Sequence, residues 1–209
     1  MGLPVMPDFR KYRATILCED EKHFQFIRGF FIEIGLESRK ITSYAGFSDG
    51  LGAGDQHVRK HFPDALSDIR RRQGNVFLVV VTDADKEGAD ARTRRKELEK
   101  ALTDIESETI SDTERLLLVI PKRNIETWFA WIDGGGDVNE NNDYKKQYQH
   151  AKSKKYGKRF KEELNKLSGS TGTGVDCNKA LPSLRDAYDS FMKFCRILDE
   201  RHATQSGSR

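Results

Sequence analysis

The sequence predicts an α/β fold with a parallel sheet flanked by helices, and two observations support this prediction. Short apolar or β-branched runs alternate along the chain with segments in which apolar residues recur at helical spacing. Two of the runs, residues 75–82 and 115–120, are almost continuously apolar, as expected for strands buried on both faces. Alternation of this kind is typical of parallel sheets joined by right-handed crossovers.

Each predicted element follows from its local pattern. The strands are bounded by polar or turn residues, and they are "ATILC" (residues 14–18), "RKITSY" (39–44), "NVFLVVVT" (75–82) and "RLLLVI" (115–120). The helix predicted after the first strand stops at Gly35, and its buried stripe consists of Phe24, Ile27, Phe31 and Ile34. The helix predicted after the third strand has the stripe Leu98, Ala101, Leu102 and Ile105.

The composition changes after residue 132, which divides the chain into two predicted regions. Residues 1–133 hold the α/β domain, and residues 134–209 form a basic helical extension that begins with the glycine- and asparagine-rich linker "DGGGDVNENND". The segment "LPSLRDAYDSFMKFCRIL" predicts an amphipathic helix that packs on the main domain through Leu184, Tyr188, Phe191, Phe194, Cys195 and Leu198. The tail "ATQSGSR" is expected to be disordered.

Composition also excludes several classes of protein. Of the 209 residues, 36% are hydrophobic and 33% are charged, which indicates a modest core and a heavily charged surface. The longest apolar run falls well short of the roughly 20 residues that a membrane helix needs, so no membrane partner is expected. Three cysteines without metal-ligand spacing, together with an N-terminus that lacks a secretory pattern, favour a cytoplasmic protein.

Acidic residues follow two of the predicted strands. Glu19 follows the first strand, and Asp83, Asp85 and Glu87 alternate in "TDADKEG" after the third. If the backbone stays extended there, Asp83 and Asp85 point to one side, and they repel each other unless a cation lies between them. Carboxylates at the carboxyl ends of parallel strands suit Mg²⁺ or Mn²⁺. The alternative is an ordinary acidic helix N-terminus, which the helix dipole favours.

The motif "TDADKEG" resembles the D-x-D-x-E-G signature of TOPRIM domains, and Glu19 in "ILCEDE" matches the glutamate that this family places after its first strand. The resemblance covers residues 13–132. The family usually has glycine after that glutamate, whereas this chain has Asp20. The resemblance implies a TOPRIM-like sheet and a divalent-metal site that includes Glu19, Asp83, Asp85 and Glu87.

Within the family, the chain is most similar in character to small stand-alone TOPRIM proteins and OLD-like nucleases, because 209 residues leave no room for the extra domains of topoisomerases or primases. The resemblance therefore implies a Mg²⁺-dependent nuclease that hydrolyses DNA or RNA, an endonuclease rather than an exonuclease. It further suggests a role in phage defence, and it is compatible with a partner ATPase chain and with a homo-oligomer.

A two-metal site needs another acid, and Glu126 in "IPKRNIETWFAW" is the best candidate. Asn124 is predicted to cap a helix whose buried stripe is Ile125, Trp128, Phe129 and Ile132. Glu126 lies off that stripe, so its carboxylate is predicted to be free and within about 8 Å of the two aspartates, at a metal pair. The alternative is an ordinary first-turn glutamate. Lys122 could meet the charge that develops on a phosphate.

The segment "YKKQYQHAKSKKYGKRFKEELNK" carries nine Lys and Arg residues against two Glu. It is either a solvated helix or a nucleic-acid-binding surface that neutralises phosphates while Tyr148, Tyr156 and Phe160 stack on bases. The predicted nucleic-acid-binding residues are Lys145, Lys146, Lys154, Lys155, Lys158 and Arg159.

Two rival functions remain open. The chain could be an inactive TOPRIM subunit that binds nucleic acid or regulates a larger complex, although such a subunit would not need four clustered acids. A haloacid-dehalogenase-like phosphatase is disfavoured, because that family needs its nucleophilic aspartate after the first strand and a Thr or Val where this chain has Glu87.

Overall fold

The computed structural model describes residues 6–47, 54–84, 90–106, 109–134, 138–167 and 180–206. It confirms an α/β fold in which helices flank a four-stranded parallel sheet. The strands are β1 (Arg13–Cys18), β2 (Ile41–Ser43), β3 (Val76–Val81) and β4 (Leu116–Val119). The helices are α1 (Glu21–Glu33), α2 (Gly54–Arg71), α3 (Ala91–Glu106), α4 (Ile125–Gly134), α5 (Ser153–Leu167) and α6 (Pro182–Ser206).

All four predicted strands are present, but β2 is half the predicted length. A short 3₁₀ turn, Ser38–Lys40, occupies the start of the predicted segment. The strand lies at the edge of the sheet and pairs only with β1, through three residues. A strand that is hydrogen-bonded on one side only is stabilised over fewer residues than a strand bonded on both sides. The polar residues on either side of β2 therefore lie outside the sheet.

The strand order β2-β1-β3-β4 gives the sheet a topological switch point between β1 and β3. From β1 the chain moves to one edge through α1, and from β3 it moves to the other edge through α3. The central strands are in register, with Cys18 opposite Val81 and Val81 opposite Val119. Their carboxyl ends therefore meet at one level, and in open α/β sheets the crevice at such a point is where ligands bind.

The two faces of the sheet contribute to different apolar clusters, as the alternation of side chains along a strand requires. Phe77, Val79 and Val81 of β3 join an aromatic-rich cluster under α1, α4, α5 and α6. Leu78 and Val80 join a mainly aliphatic cluster under α2 and α3. Leu98 and Leu102 of the predicted α3 stripe are fully buried there.

Helix α1 is covered on two sides, which extends its buried surface beyond the predicted stripe. Phe26 and Phe30 are buried as well as Ile27 and Phe31, whereas Phe24 and Ile34 are only partly buried. The reason is that α5 packs on the side of α1 turned away from the sheet. The buried surface of α1 is therefore wider than the single stripe of residues that the sequence predicts.

Helices α1 and α5 cross at two glycines. A Cβ atom on Gly29 would collide with the backbone oxygen of Lys154, and one on Gly157 would collide with that of Phe26. The two backbones are consequently in direct contact, at a distance that only glycine permits.

The C-terminal extension shares its core with the sheet domain. Phe160 of α5 stacks on Trp128 of α4, with ring centroids 5.3 Å apart. The predicted packing residues of α6 are buried, except Tyr188, which is partly buried. The predicted disorder of the tail is wrong for residues 203–206, because α6 continues through Ser206. Once a helix is nucleated, each further residue adds a hydrogen bond at little cost.

At the amino end of the sheet, the Arg115 side chain binds four backbone carbonyls. It donates to Gly74 (2.9 Å), Val76 (3.1 Å) and Arg72 (2.9 Å), and also to Ile69. This one guanidinium joins the last turn of α2 to the start of β3. Among the described helices, none is both long enough and apolar enough to span a bilayer.

Candidate acidic site at the switch point

Glu19 and Asp83 lie side by side at the switch point, one residue beyond β1 and two beyond β3. Oε1 of Glu19 accepts hydrogen bonds from the Thr82 hydroxyl (2.6 Å) and from the backbone N–H of Asp83 (2.8 Å). The side chain of one acid is thus bound to the backbone of the other. Asp83 is 3% exposed. The structure therefore brings these two predicted acids together.

The charge of Asp83 destabilises the ionised form of Glu19. Burial, and then the charge of Asp83, raise the pKa of Glu19 to about 7, although His23 and the hydrogen bonds from Thr82 and Asp83 oppose the shift. Burial also raises the pKa of Asp83, and His23 again opposes it. This combination is what desolvation and like charge produce, and it is common at functional sites.

A buried histidine, which the sequence analysis missed, bridges two acids of the site. His23 is 2% exposed; its Nε2 lies 3.0 Å from Asp83 Oδ1 and its Nδ1 lies 2.7 Å from Asp20 Oδ1. Although burial opposes protonation, Asp83 and Asp20 raise the pKa of His23 well above its ordinary value. The two carboxylates therefore favour the protonated form of His23, which would partly neutralise Asp83.

Asp20, which follows Glu19 where glycine was expected from the resemblance, has a structural role at the start of α1. Its backbone is extended (φ −151°), so the turn needs no glycine. Its carboxylate accepts a hydrogen bond from the backbone N–H of His23 (2.9 Å) and caps the helix. Despite burial, the contacts with His23 lower the pKa of Asp20. In the sequence, the one signal for the pairing of Asp20 with His23 is an aspartate at a helix-capping position three residues before the histidine.

Glu126 is buried rather than free, which corrects the prediction. It is 4% exposed, and its Oε1 lies 2.5 Å from Nζ of Lys22 on α1. The predicted cap is present, since Asn124 Oδ1 accepts from the backbone N–H of Thr127 at 3.2 Å. However, every residue from Ile125 to Ile132 is buried, so α4 has no exposed face on which Glu126 could lie.

Electrostatics couple Glu126 and Lys145 to Asp83. After burial and His23, the charge of Lys145 lowers the pKa of Asp83, and that of Glu126 raises it. Lys145 comes from the basic segment and is exposed. One predicted nucleic-acid-binding residue is therefore close enough to the acids to influence them. Lys122 is half-buried beside α4.

Asp85 and Glu87, the other predicted metal ligands, lie outside the described residues. Within the part of the chain that the structure describes, no group of three His, Cys, Asp or Glu side chains is arranged to hold a metal ion. The two described acids nevertheless suit a hard cation, because they present carboxylate oxygens at one point and burial raises the pKa of both. Glu19 and Asp83 are the described residues that could hold one.

The basic segment divides into exposed cations and structural residues. Lys145, Lys146, Lys154, Lys155 and Lys158 are exposed. Arg159, in contrast, is partly buried; it pairs with Asp133 (2.5 Å) and donates to the carbonyl of Ile132 (2.7 Å). Arg159 therefore holds α5 against α4, and its assignment as a nucleic-acid contact stays a prediction.

The interleaved aromatic residues are not available for base stacking. Tyr156 stacks on Phe129 with ring centroids 4.4 Å apart, and Tyr148 and Phe160 are buried. All Phe, Tyr and Trp residues of the chain lie in described segments, and none of their side chains is exposed. The amphipathic α5 turns its rings toward α1 and α4, which leaves little of their surface open to bases.

Comparisons of the chain with protein-family models, with curated proteins and with solved structures found no match. Function must therefore be inferred from the geometry and chemistry of the acidic site.

Proposed function

We propose that this chain is a divalent-metal-dependent nuclease of the TOPRIM type, which hydrolyses phosphodiester bonds at the acidic site. The observation that supports this most is that the half-buried Glu19 and the buried Asp83 lie side by side at the switch point of a parallel sheet. Ligands of open α/β sheets bind there, and buried carboxylates of raised pKa are suited to a cation.

Glu19 and Asp83 would hold Mg²⁺ or Mn²⁺, and the sequence adds Asp85 and Glu87 as further ligands. The bound ion would supply Lewis-acid stabilisation of the phosphate and a water of lowered pKa. Glu126 is a third buried acid whose charge acts on Asp83, so it is the candidate ligand for a second ion. His23 keeps the Asp83 carboxylate oriented through its Nε2.

The exposed lysines near the site would bind the substrate through its phosphates. Lys145 is coupled to Asp83, and Lys154 and Lys155 lie on the first turn of α5, which contacts α1 at Gly29. Because no aromatic side chain of the chain is exposed, base stacking contributes little. Binding is therefore expected to be insensitive to sequence and steeply dependent on salt.

The protein should be incubated with labelled plasmid, single-stranded DNA and total RNA in Mg²⁺, Mn²⁺ or EDTA. We expect cleavage that EDTA abolishes and that Asp83→Asn lowers at least about 10³-fold, a loss typical of removing a central electrostatic group. Asp112→Asn is the matched control, because Asp112 is an exposed aspartate paired with Lys193. Equal cleavage by wild type and Asp83→Asn, or cleavage in EDTA, would disprove the proposal.

One observation favours the rival function, an inactive nucleic-acid-binding or regulatory subunit. His23 already supplies a positive partner to Asp83, so the site is partly neutralised without a metal ion. In that case the lysines would still bind nucleic acid, but Mn²⁺ would not bind. Calorimetry with Mn²⁺ distinguishes the two functions. Only the nuclease is expected to show a heat of Mn²⁺ binding, and Asp83→Asn should remove that heat.

A further inference from the structure

A buried arginine lies directly behind the acidic site. Arg94 on α3 is 2% exposed, and its Nε–H donates to the backbone oxygen of Asp83 at 3.0 Å. Its second nitrogen, Nη1, donates to Asp55 (2.9 Å) and to Glu97 (2.6 Å). A buried guanidinium requires several acceptors in fixed directions, and these three acceptors lie on three different segments.

The contact with Asp55 connects Arg94 to the other acid of the site. Asp55 follows Gly54, the first residue of α2, and Gly54 lies against Glu19: a Cβ atom there would be 2.8 Å from Glu19 Oε2. Asp55 also pairs with Arg59, one turn along α2, at 3.0 Å. Glu19 is therefore confined by the start of α2, and Arg94 holds that start through Asp55.

We propose that Arg94 is a positioning residue that fixes the separation of Glu19 and Asp83. One rigid guanidinium binds the backbone of Asp83 and, through Asp55, the helix start that confines Glu19. Lysine cannot replace it, because an ammonium group lacks the planar fork that reaches both acceptors. The consequence for metal binding and hydrolysis rests on the proposed function, whereas the positioning itself does not.

The test compares Arg94→Lys with Arg95→Lys. Arg95 is the next residue of the same helix, is exposed and pairs only with Glu99, at 3.1 Å, among the contacts described for it. Two quantities are measured well below the unfolding temperature: Mn²⁺ affinity by calorimetry, and hydrogen exchange of the backbone amides of Asp83 and Leu78. The Asp83 amide reports on the site, because it donates to Glu19, and the Leu78 amide reports on the middle of β3.

For Arg94→Lys we expect Mn²⁺ to bind about tenfold more weakly, as is common when a residue behind metal ligands is changed. The Asp83 amide should exchange at least about tenfold faster, since its local support is lost, while the Leu78 amide is unchanged. Arg95→Lys should change neither quantity. If Arg94→Lys does not fold, Asp55→Ala removes the carboxylate that links Arg94 to α2 and should shift both quantities in the same direction.

Equal acceleration of the Asp83 and Leu78 amides would overturn the proposal, because it would show that Arg94 only stabilises the whole fold. Unchanged exchange at Asp83 would overturn it as well. If wild type binds no Mn²⁺ and cleaves no substrate, the proposed function fails, and the exchange rates alone then decide whether Arg94 positions the two acids.

Discussion

At the end of the sheet where its strands begin, one arginine donates to four backbone carbonyls. At the opposite end the half-buried Glu19 lies beside the buried Asp83, and the charge of the buried Glu126 acts on Asp83. Arg115 donates its hydrogen bonds to carbonyl oxygens, so these contacts stabilise the fold. Glu19, Asp83 and Glu126 instead carry like charges, and the pKa values of Glu19 and Asp83 are raised. The comparison shows that one end serves stability and the other retains unfavourable charge, as functional sites do.

The largest effect is expected from Glu126→Gln, which tests whether the third acid belongs to the functional end. Glutamine can still accept a hydrogen bond from Lys22, so the fold should survive while hydrolysis falls about 10²- to 10³-fold. Initial rates of plasmid cleavage in Mg²⁺ measure this. Glu99→Gln, at a partly exposed position on α3, is the control. Unchanged cleavage would leave Glu126 as only a buried partner of Lys22.

Arg115→Met tests the other side of the comparison. Four carbonyls lose their donor, so the free energy of unfolding should fall by about 2–4 kcal/mol. Urea denaturation measures the loss, with the exposed Arg196→Met as the control. Cleavage per folded molecule should be unchanged. A large fall in cleavage by fully folded Arg115→Met would show that the two ends are not independent.

Glu19→Gln should stabilise the metal-free protein at high pH. Because the folded pKa of Glu19, about 7, exceeds its ordinary value of 4.5, the unfolded chain ionises first and folding stability is lost as pH rises between these values. In EDTA at pH 8 the variant should be more stable by about 1–3 kcal/mol, and at pH 4 it should match wild type. Urea midpoints across this range test it; identical curves would contradict the raised pKa.

The smallest effect is expected from charge reversal at Lys154, Lys155 and Lys158. Since these lysines bind phosphates in the proposed complex, affinity for nucleic acid at about 0.2 M salt should fall about tenfold, and the slope of log affinity against log salt should lessen by about 2–3. Fluorescence anisotropy in EDTA measures binding without cleavage. Charge reversal at Lys96 and Lys100, exposed on α3, is the control. If the salt slopes of this variant and of wild type are equal, the lysines of α5 form only a solvated helix face.

The sequence predicted those features that depend on local pattern. Continuous apolar runs identified β3 and β4, and position at the carboxyl ends of two parallel strands identified Asp83 beside Glu19. Such signals survive because a strand end fixes both the position and the direction of the next side chains. The order of the strands, and with it the switch point, depends on pairing between distant segments, which local pattern does not contain.

The residues that sequence reasoning missed or misjudged are those whose burial depends on tertiary packing. Arg94 stands among several cations in "ARTRRKE", and only the fold makes it the buried one. His23 is hidden between two acids that lie 63 residues apart in the chain. Glu126, Tyr156 and Arg159 were assigned to free surfaces because the contact between α4 and α5 is not visible in either helix alone.

The glycine pair at the crossing of α1 and α5 has a consequence for how this molecule could be altered. With no side chain between the two backbones, α5 cannot slide or tilt without a collision at Gly29 or Gly157. Lys154, on the first turn of α5, is thereby held at a fixed reach from His23 and Asp83, whose support comes from α1. Residues 134–209 are accordingly not an independent unit that can be exchanged or truncated. Gly157→Ala would displace the lysines and the acids relative to each other.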